Sequence, residues 1–121
     1  MASGDNDVVV VVEDEEEART FLIQILEFEG FDVVGFSNGA EALDYLAHAL
    51  KPCLIVLDMR MPIMDGPQFR TAMLQDSRLA DIPVVIVTAL EPSVAAGLSP
   101  LRIFRKPVDV SALLDVIRAN C

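Results

Sequence analysis

The stretch "VLDMRMPIMDG", residues 56–66, indicates how the chain is organised. An apolar run ends at one carboxylate, Asp58, and the chain then turns through Met-Arg-Met-Pro to a second acid and a glycine, Asp65-Gly66. A run that is apolar at successive positions, without alternation, is typical of a strand covered on both faces. The sequence therefore predicts a buried strand with an acid at its tip.

Two hydrophobic periods alternate on either side of this stretch. Short apolar runs predict strands over residues 8–12, 31–36, 53–57, 83–87 and 101–104. Helical spacing predicts helices over residues 18–26, 40–50, 67–76, 91–97 and 110–117, of which the fourth holds at most two turns. Strict alternation predicts an α/β domain with a parallel sheet and helices on both faces. We expect a flavodoxin-like (βα)5 doubly wound fold with strand order 2-1-3-4-5 and a shortened fourth helix.

Composition limits the class of protein. The 121 residues and the 53% hydrophobic content predict one domain over residues 1–121, with a polar tail at 1–7 that does not resemble a signal peptide. No apolar run is long enough to span a membrane. A net charge of −10 argues against nucleic-acid binding. Cys53 lies in a predicted strand and Cys121 is the last residue, so we expect free thiols and a cytoplasmic location.

Charged and polar side chains follow four of the predicted strands. Glu13 and Asp14 follow the first strand, Asp58 ends the third, Thr88 follows the fourth and Lys106 follows the fifth. In the expected order the first and third strands are neighbours, so their acids meet at the crevice where such sheets bind ligands. Carboxylates that close need a compensating charge, and Mg²⁺ prefers oxygen ligands of this kind. Each residue alone also fits an ordinary role, such as a helix start, a strand end or a solvated lysine; their coincidence predicts a site.

These motifs resemble the receiver domain of bacterial two-component response regulators over essentially the whole chain. "VVVVVEDEEEAR" (8–19) is similar to the family's first strand and acidic pair. "LIVLDMRMPIMDG" (54–66) is similar to its phosphoacceptor strand and loop, and is the most specific match. "IPVVIVTA" (82–89) and "FRKP" (104–107) resemble its threonine and lysine-proline segments.

The resemblance implies a role for each residue. Asp58 would accept a phosphoryl group from the phosphohistidine of a sensor histidine kinase or phosphotransfer protein. Asp14 would bind Mg²⁺ directly, Glu13 directly or through water, and the backbone carbonyl of Arg60 would be a further ligand beside Asp58. Thr88 and Lys106 would contact the phosphoryl oxygens. Such a domain is a signalling module and not an enzyme, although it takes part in its own phosphorylation and dephosphorylation. Phosphorylation would switch its binding to a downstream effector. A dimer that forms on phosphorylation is a further possibility that the resemblance allows.

The sequence departs from the family pattern at three places. Glu13 replaces the commoner aspartate. Ile103 stands where the family has an aromatic switch residue, and Phe104 comes one place later. The interval between Thr88 and Lys106 is shorter than usual by about one helical turn. We therefore expect the signal to be carried by a poorly anchored loop over residues 88–97, and we expect a cis peptide before Pro107, because X-Pro bonds tolerate that form.

Three alternative functions are a degenerate receiver, a phosphohydrolase and a flavodoxin. A degenerate receiver would bind partners without phosphorylation. A Mg²⁺-dependent phosphohydrolase of the haloacid-dehalogenase type would need an aspartate where Arg60 stands. A flavodoxin would need a phosphate-binding loop after Val12, and acids stand there instead. The chain is expected to be a stand-alone receiver or a piece of a longer protein.

Overall fold

A computed structural model describes residues 8–89, 91, 95 and 97–121; the expected polar tail at 1–7 lies outside the described residues. The described part contains one five-stranded sheet and four α-helices. The strands are β1 (Val8–Val12), β2 (Asp32–Phe36), β3 (Leu54–Asp58), β4 (Val84–Thr88) and β5 (Arg102–Arg105). The helices are α1 (Glu16–Phe28), α2 (Gly39–His48), α3 (Gly66–Leu74) and α4 (Val110–Asn120). None of these helices is long and apolar enough to cross a membrane.

The sheet has the predicted order, β2-β1-β3-β4-β5, and every pair of neighbours is parallel. Val12 of β1 pairs with Leu57 of β3, so the next residues along these strands, Glu13 and Asp58, emerge at the same edge. Parallel strands need crossover connections, and α1, α2 and α3 supply those from β1 to β2, from β2 to β3 and from β3 to β4. The predicted flavodoxin-like fold is confirmed.

Both faces of the sheet are buried. Alternate residues of β1 enter opposite hydrophobic clusters: Val10 and Val12 pack with residues of α2 and α3, whereas Val9 and Val11 pack with residues of α1 and α4. This two-sided burial explains why the central strands are apolar without alternation. It also leaves the strand ends as the place where β1 and β3 present polar groups.

The segment between β4 and β5 lies in part outside the described residues. Of its described residues, Ala95, Gly97 and Leu98 lie in a 3₁₀ turn, and Ala95 is fully buried. The buried Arg70 of α3 donates hydrogen bonds from Nε to the carbonyl of Leu98 (2.8 Å) and from Nη2 to that of Ser99 (3.0 Å). Arg70 thus holds Leu98 and Ser99, which come just after the predicted loop over residues 88–97. Residues 90, 92–94 and 96 of that loop lie outside the described residues, so its poor anchoring stays a prediction.

Ile103 and Phe104 point to opposite faces of the sheet, as their adjacency in β5 predicts. Ile103 packs against the cluster shared by α2 and α3, and Phe104 is buried in the cluster shared by α1 and α4. The guanidinium of Arg102 lies 4.8 Å from the centre of the Phe104 ring. A ring at position 104 therefore cannot take the place of one at position 103 without a change of strand register.

The prediction of two free thiols is wrong. Cys53, just before β3, and Cys121, just after α4, form a disulfide with their Cα atoms 5.4 Å apart, a separation in the usual range. The end of α4 thus meets the start of β3, whereas the acids lie where the strands end. Because 68 positions separate the two cysteines, only the assembled fold reveals their contact.

Candidate functional site

Three carboxylates converge where β1 and β3 end. One oxygen from each of Glu13, Asp14 and Asp58 lies within 4.8 Å of the other two. The Glu13 and Asp58 side chains are buried, with 4% and 7% relative exposure, whereas Asp14 is exposed. The predicted meeting of the acids is confirmed, and it leaves one carboxylate open to solvent.

The backbone around the acidic pair is held by hydrogen bonds outside the sheet ladder. The Glu13 amide donates to the carbonyl of Phe36 at the end of β2 (2.9 Å). The Glu13 Oε2 accepts from the amide of Glu15 (3.1 Å), the residue that precedes α1. Arg19 of α1 donates from Nη1 to the carbonyl of Glu13 (2.8 Å). Glu13 is thus both a potential ligand and a structural part of the turn.

Lys106 enters the site from the end of β5. Its amide donates to the carbonyl of Thr88 (2.8 Å), and its peptide bond to Pro107 is cis, as predicted. The ammonium Nζ lies 3.0 Å from Glu13 Oε1 and 3.6 Å from Asp58 Oδ1. The sequence predicted that Lys106 lies near Asp58. It did not predict that Lys106 lies closer to Glu13 than to Asp58.

Burial and neighbouring charges shift the pKa values in this cluster. Burial, reinforced by the Glu13 carboxylate, raises the pKa of Asp58 from 3.8 to about 6. Burial acts in the same direction on Glu13, but the hydrogen bonds from Lys106 and from the Glu15 amide outweigh it, so the pKa of Glu13 is lowered. For Lys106, burial acts to lower the pKa, and its bond to Glu13 and the nearby charge of Asp58 raise it above the usual value. At neutral pH two buried carboxylates thus face one ammonium, which favours an added cation.

All six predicted site residues line one pocket of about 460 Å³: Glu13, Asp14, Asp58, Arg60, Thr88 and Lys106. Glu15 and Ala89 also line it. Thr88 is fully buried, and Arg60 is exposed at the pocket mouth. Clustered carboxylate oxygens with an open side suit a hard divalent cation, which keeps several waters when bound. The donor set therefore fits Mg²⁺.

Asp65 and Gly66 shape the site in a way that the sequence indicated only as a turn. Asp65 caps α3, because its side chain accepts from the amide of Gln68 (2.9 Å). The amide of Gly66 donates to the carbonyl of Met59 (3.0 Å). A Cβ atom on Gly66 would lie only 2.5 Å from the backbone oxygen of Asp58 and 2.7 Å from Met59 Cα. The glycine thus allows the start of α3 to lie against the backbone that carries Asp58.

Gly66→Ala is expected to destabilise the protein by about 1–3 kcal/mol, the usual range for overpacking. The added methyl meets backbone atoms, which cannot rotate away as a side chain can. Urea denaturation followed by circular dichroism measures the loss.

Gly97→Ala is the matched control, since a Cβ atom there meets nothing within 4 Å. We expect it to change stability by less than about 0.5 kcal/mol, as surface substitutions usually do. Equal midpoints for Gly66→Ala and Gly97→Ala would show that the close approach of Gly66 to Asp58 is not required.

Comparison with known proteins identifies related chains. The family model described as "Response regulator receiver domain" matches residues 9–118. The polar-differentiation response regulator DivK of Brucella anthropi is 31% identical over 116 residues, which cover 92% of this chain and 93% of DivK.

Two further matches differ in how much of the relative they cover. Response regulator Rre1 of Synechocystis sp. is 40% identical over 82 residues, which are 67% of this chain but 35% of Rre1, so this chain matches about a third of that relative's length. The crystal structure of a response regulator receiver protein from Pseudomonas putida superimposes with a TM-score of 0.89 at 27% identity, covering 98% of this chain and 99% of that one.

Proposed function

The chain belongs to the response regulator receiver domain family, and from this premise we propose that it is a phosphoacceptor that receives a phosphoryl group on Asp58 with the help of Mg²⁺. The domain is a module of two-component signalling, a class generally not counted among enzymes. One observation carries the proposal. The buried carboxylate of Asp58 ends a central strand in a pocket that brings together two further carboxylates and the ammonium of Lys106.

The contacts of Asp58 favour attack by one of its oxygens. Oδ1 accepts a hydrogen bond from the amide of Met59 (2.8 Å) and faces Lys106. We infer that Oδ2 attacks phosphorus, as carboxylates do in covalent catalysis. With phosphohistidine as donor, an O–P bond forms, the P–N bond breaks and the leaving imidazole takes a proton from solvent. Both Oδ1 contacts fix the carboxylate, so the chain contributes chiefly positioning.

Lys106 and Thr88 would act on the transferred group. Lys106 would exchange its contact with Glu13 for one with a phosphoryl oxygen, because the new group brings more negative charge. The Thr88 hydroxyl would donate to a second phosphoryl oxygen from the end of β4. Glu13, Asp14, Asp58 and the carbonyl of Arg60 would hold Mg²⁺, which neutralises charge on the phosphoryl oxygens during transfer.

The partners follow from this chemistry. The donor would be a sensor histidine kinase or a phosphotransfer protein, and the phosphorylated form would bind a downstream effector, with a dimer as one form of output. Because kinases draw the phosphoryl group from ATP, we place the chain in the cytoplasm, as a single receiver domain, although a disulfide such as Cys53–Cys121 is rare in that compartment. Neither nucleic acid nor membrane is expected to bind this domain, whose net charge is −10.

The route by which the signal leaves the site differs from the threonine–aromatic relay of the family. Ile103 is stiff at its first side-chain torsion and has no ring to bury. The segment after Thr88 is attached to α3 through Arg70, whose guanidinium is buried and binds two of its carbonyls. We expect phosphorylation to cause only a small shift in the equilibrium between two conformations of this segment. The size of that shift is limited by the difference in affinity of the two conformations for the phosphoryl group.

Incubation with acetyl phosphate and Mg²⁺ tests the proposal. Intact-mass measurement should show the addition of one phosphoryl group, and removal of Mg²⁺ with a chelator should prevent it. A degenerate receiver would gain no mass under either condition. A phosphohydrolase would consume the donor continuously without a retained adduct, so either result would refute the phosphoacceptor role.

A further inference from the structure

The turn between β1 and α1 lacks the usual support of a helix start. The residue that precedes α1 is Glu15, and its side chain makes no capping hydrogen bond. The carbonyls of Glu13 and Asp14 come before the helix begins, so the hydrogen-bond ladder of α1 does not include them. Yet these two residues must hold their carboxylates beside Asp58. The carbonyls of these two residues therefore accept hydrogen bonds from a group outside that ladder.

Arg19, in the first turns of α1, supplies that partner. Its Nη1 lies 2.8 Å from the carbonyl oxygen of Glu13 and 3.4 Å from that of Asp14. One guanidinium nitrogen thus binds both peptide groups that carry the acidic pair. Hydrogen bonds from a charged donor are stronger than neutral ones, and the planar guanidinium loses little freedom when it forms them.

Gly35 of β2 fixes the path of the Arg19 side chain. A Cβ atom on Gly35 would lie 3.3 Å from both Cγ and Cδ of Arg19 and 2.6 Å from Cδ1 of Ile23. The bare backbone at this position lets the aliphatic part of Arg19 lie across the edge strand. The next residue of the same strand, Phe36, accepts from the amide of Glu13 (2.9 Å). The end of β2 and Arg19 therefore hold the acidic turn together.

We propose that Arg19 is a positioning residue for the metal site, an inference that rests on the function proposed above. Arg19 holds the turn so that Glu13 and Asp14 already converge on Asp58 before the ion arrives. Without it, only a fraction of the molecules would present the converged carboxylates. The apparent dissociation constant rises by the inverse of that fraction. If the converged fraction falls to about one tenth, affinity falls about tenfold.

The positive charge of Arg19 distinguishes a positioning residue from the alternative, a surface charge with no structural role in the metal site. A positive charge near a cation site repels the ion, so loss of a mere surface charge should tighten Mg²⁺ binding. Loss of a positioning residue should weaken it. The two readings of Arg19 predict changes of opposite sign in one measured constant.

The experiment is a Mg²⁺ titration followed by backbone amide NMR on the wild type, Arg19→Met, Arg19→Lys and Arg118→Met. Methionine keeps the apolar contact with Gly35 and removes the guanidinium; lysine keeps the charge and one donor group. Arg118→Met is the matched control, because it removes the same charge from an exposed position at the end of α4. The end of α4 lies at the start of the strands, whereas the acids lie where the strands end, and five strand residues separate the two levels by roughly 17 Å. Salt screens charges beyond about 8–10 Å, so the charge of Arg118 should not affect the metal site.

Arg19→Met should raise the dissociation constant for Mg²⁺ about tenfold, while Arg118→Met leaves it unchanged and Arg19→Lys lies between the wild type and Arg19→Met. Unchanged or tighter binding by Arg19→Met overturns the proposal, as does an equal loss in Arg118→Met. If Arg19→Met does not fold, Arg19→Lys gives the same comparison, with weaker binding in support and unchanged binding against. A wild type that binds no Mg²⁺ would instead refute the metal site itself.

Discussion

Asp58→Asn is expected to stabilise the Mg²⁺-free protein by about 1–3 kcal/mol at neutral pH. The folded protein holds the Asp58 carboxylate in a buried site beside Glu13, and its pKa rises from 3.8 to about 6. One pKa unit corresponds to about 1.4 kcal/mol, so this rise sets an upper value of about 3 kcal/mol. Asparagine has a similar shape and removes the charge. Urea denaturation in the presence of a chelator measures the gain.

The pH dependence of this effect follows from the sign of the pKa change. A carboxyl whose pKa is higher in the folded than in the unfolded state binds more protons when folded. Its contribution to stability is complete below pH 3.8 and is lost as the pH rises to about 6. The difference between wild type and Asp58→Asn should therefore grow from pH 4 to about pH 6 and then level off.

Asp115→Asn, an exposed position on α4, is the matched control and should change stability by less than about 0.5 kcal/mol. Added Mg²⁺ should raise the stability of the wild type more than that of Asp58→Asn, since an ion that binds only the folded state stabilises it. A destabilised Asp58→Asn in the absence of Mg²⁺ would contradict the conclusion that burial and the nearby Glu13 charge disfavour the ionised Asp58 carboxylate.

Opening the disulfide is expected to lower the free energy of unfolding by about 4 kcal/mol. Cys53 and Cys121 close a loop with a sequence separation of 68, and a cross-link of that length restricts the unfolded chain strongly. Urea denaturation with and without a thiol reductant measures the difference for the wild type.

Cys121→Ser provides the control, because this cysteine is exposed and serine leaves no large cavity. Its stability without reductant should equal that of the reduced wild type, and reductant should not change it further. Titration of two free thiols in the unreduced native protein would contradict the disulfide.

The fold and the convergence of the three carboxylates were predictable because local signals agree with the global arrangement. Val9 to Val12 are buried on both faces, so their unbroken apolar run identifies a central strand. Asp58 at the end of a similar run could then be assigned to the ligand-binding edge. Strict alternation of strands and helices leaves few topologies, which is why the strand order was also predicted correctly.

What the sequence did not reveal depends on contacts between distant residues. The pairing of Lys106 with Glu13 joins positions 93 apart and depends on how two side chains are oriented. The role of Gly66 becomes visible only when the backbone of Asp58 lies against it. The contact between Cys53 and Cys121 likewise requires the packed position of α4. Such contacts leave no periodic signal in the chain.

The central claim is that Asp58 is the phosphoacceptor, and chemical mapping of the phosphorylated residue tests it most directly. The protein is phosphorylated with acetyl phosphate and Mg²⁺ and then reduced with borohydride, which converts an aspartyl phosphate to homoserine. Peptide mass spectrometry then locates the converted residue. The account predicts conversion at Asp58 and at no other acid, with none in a sample treated with chelator. Conversion at Asp14 or Asp65, or none in the presence of Mg²⁺, would contradict it.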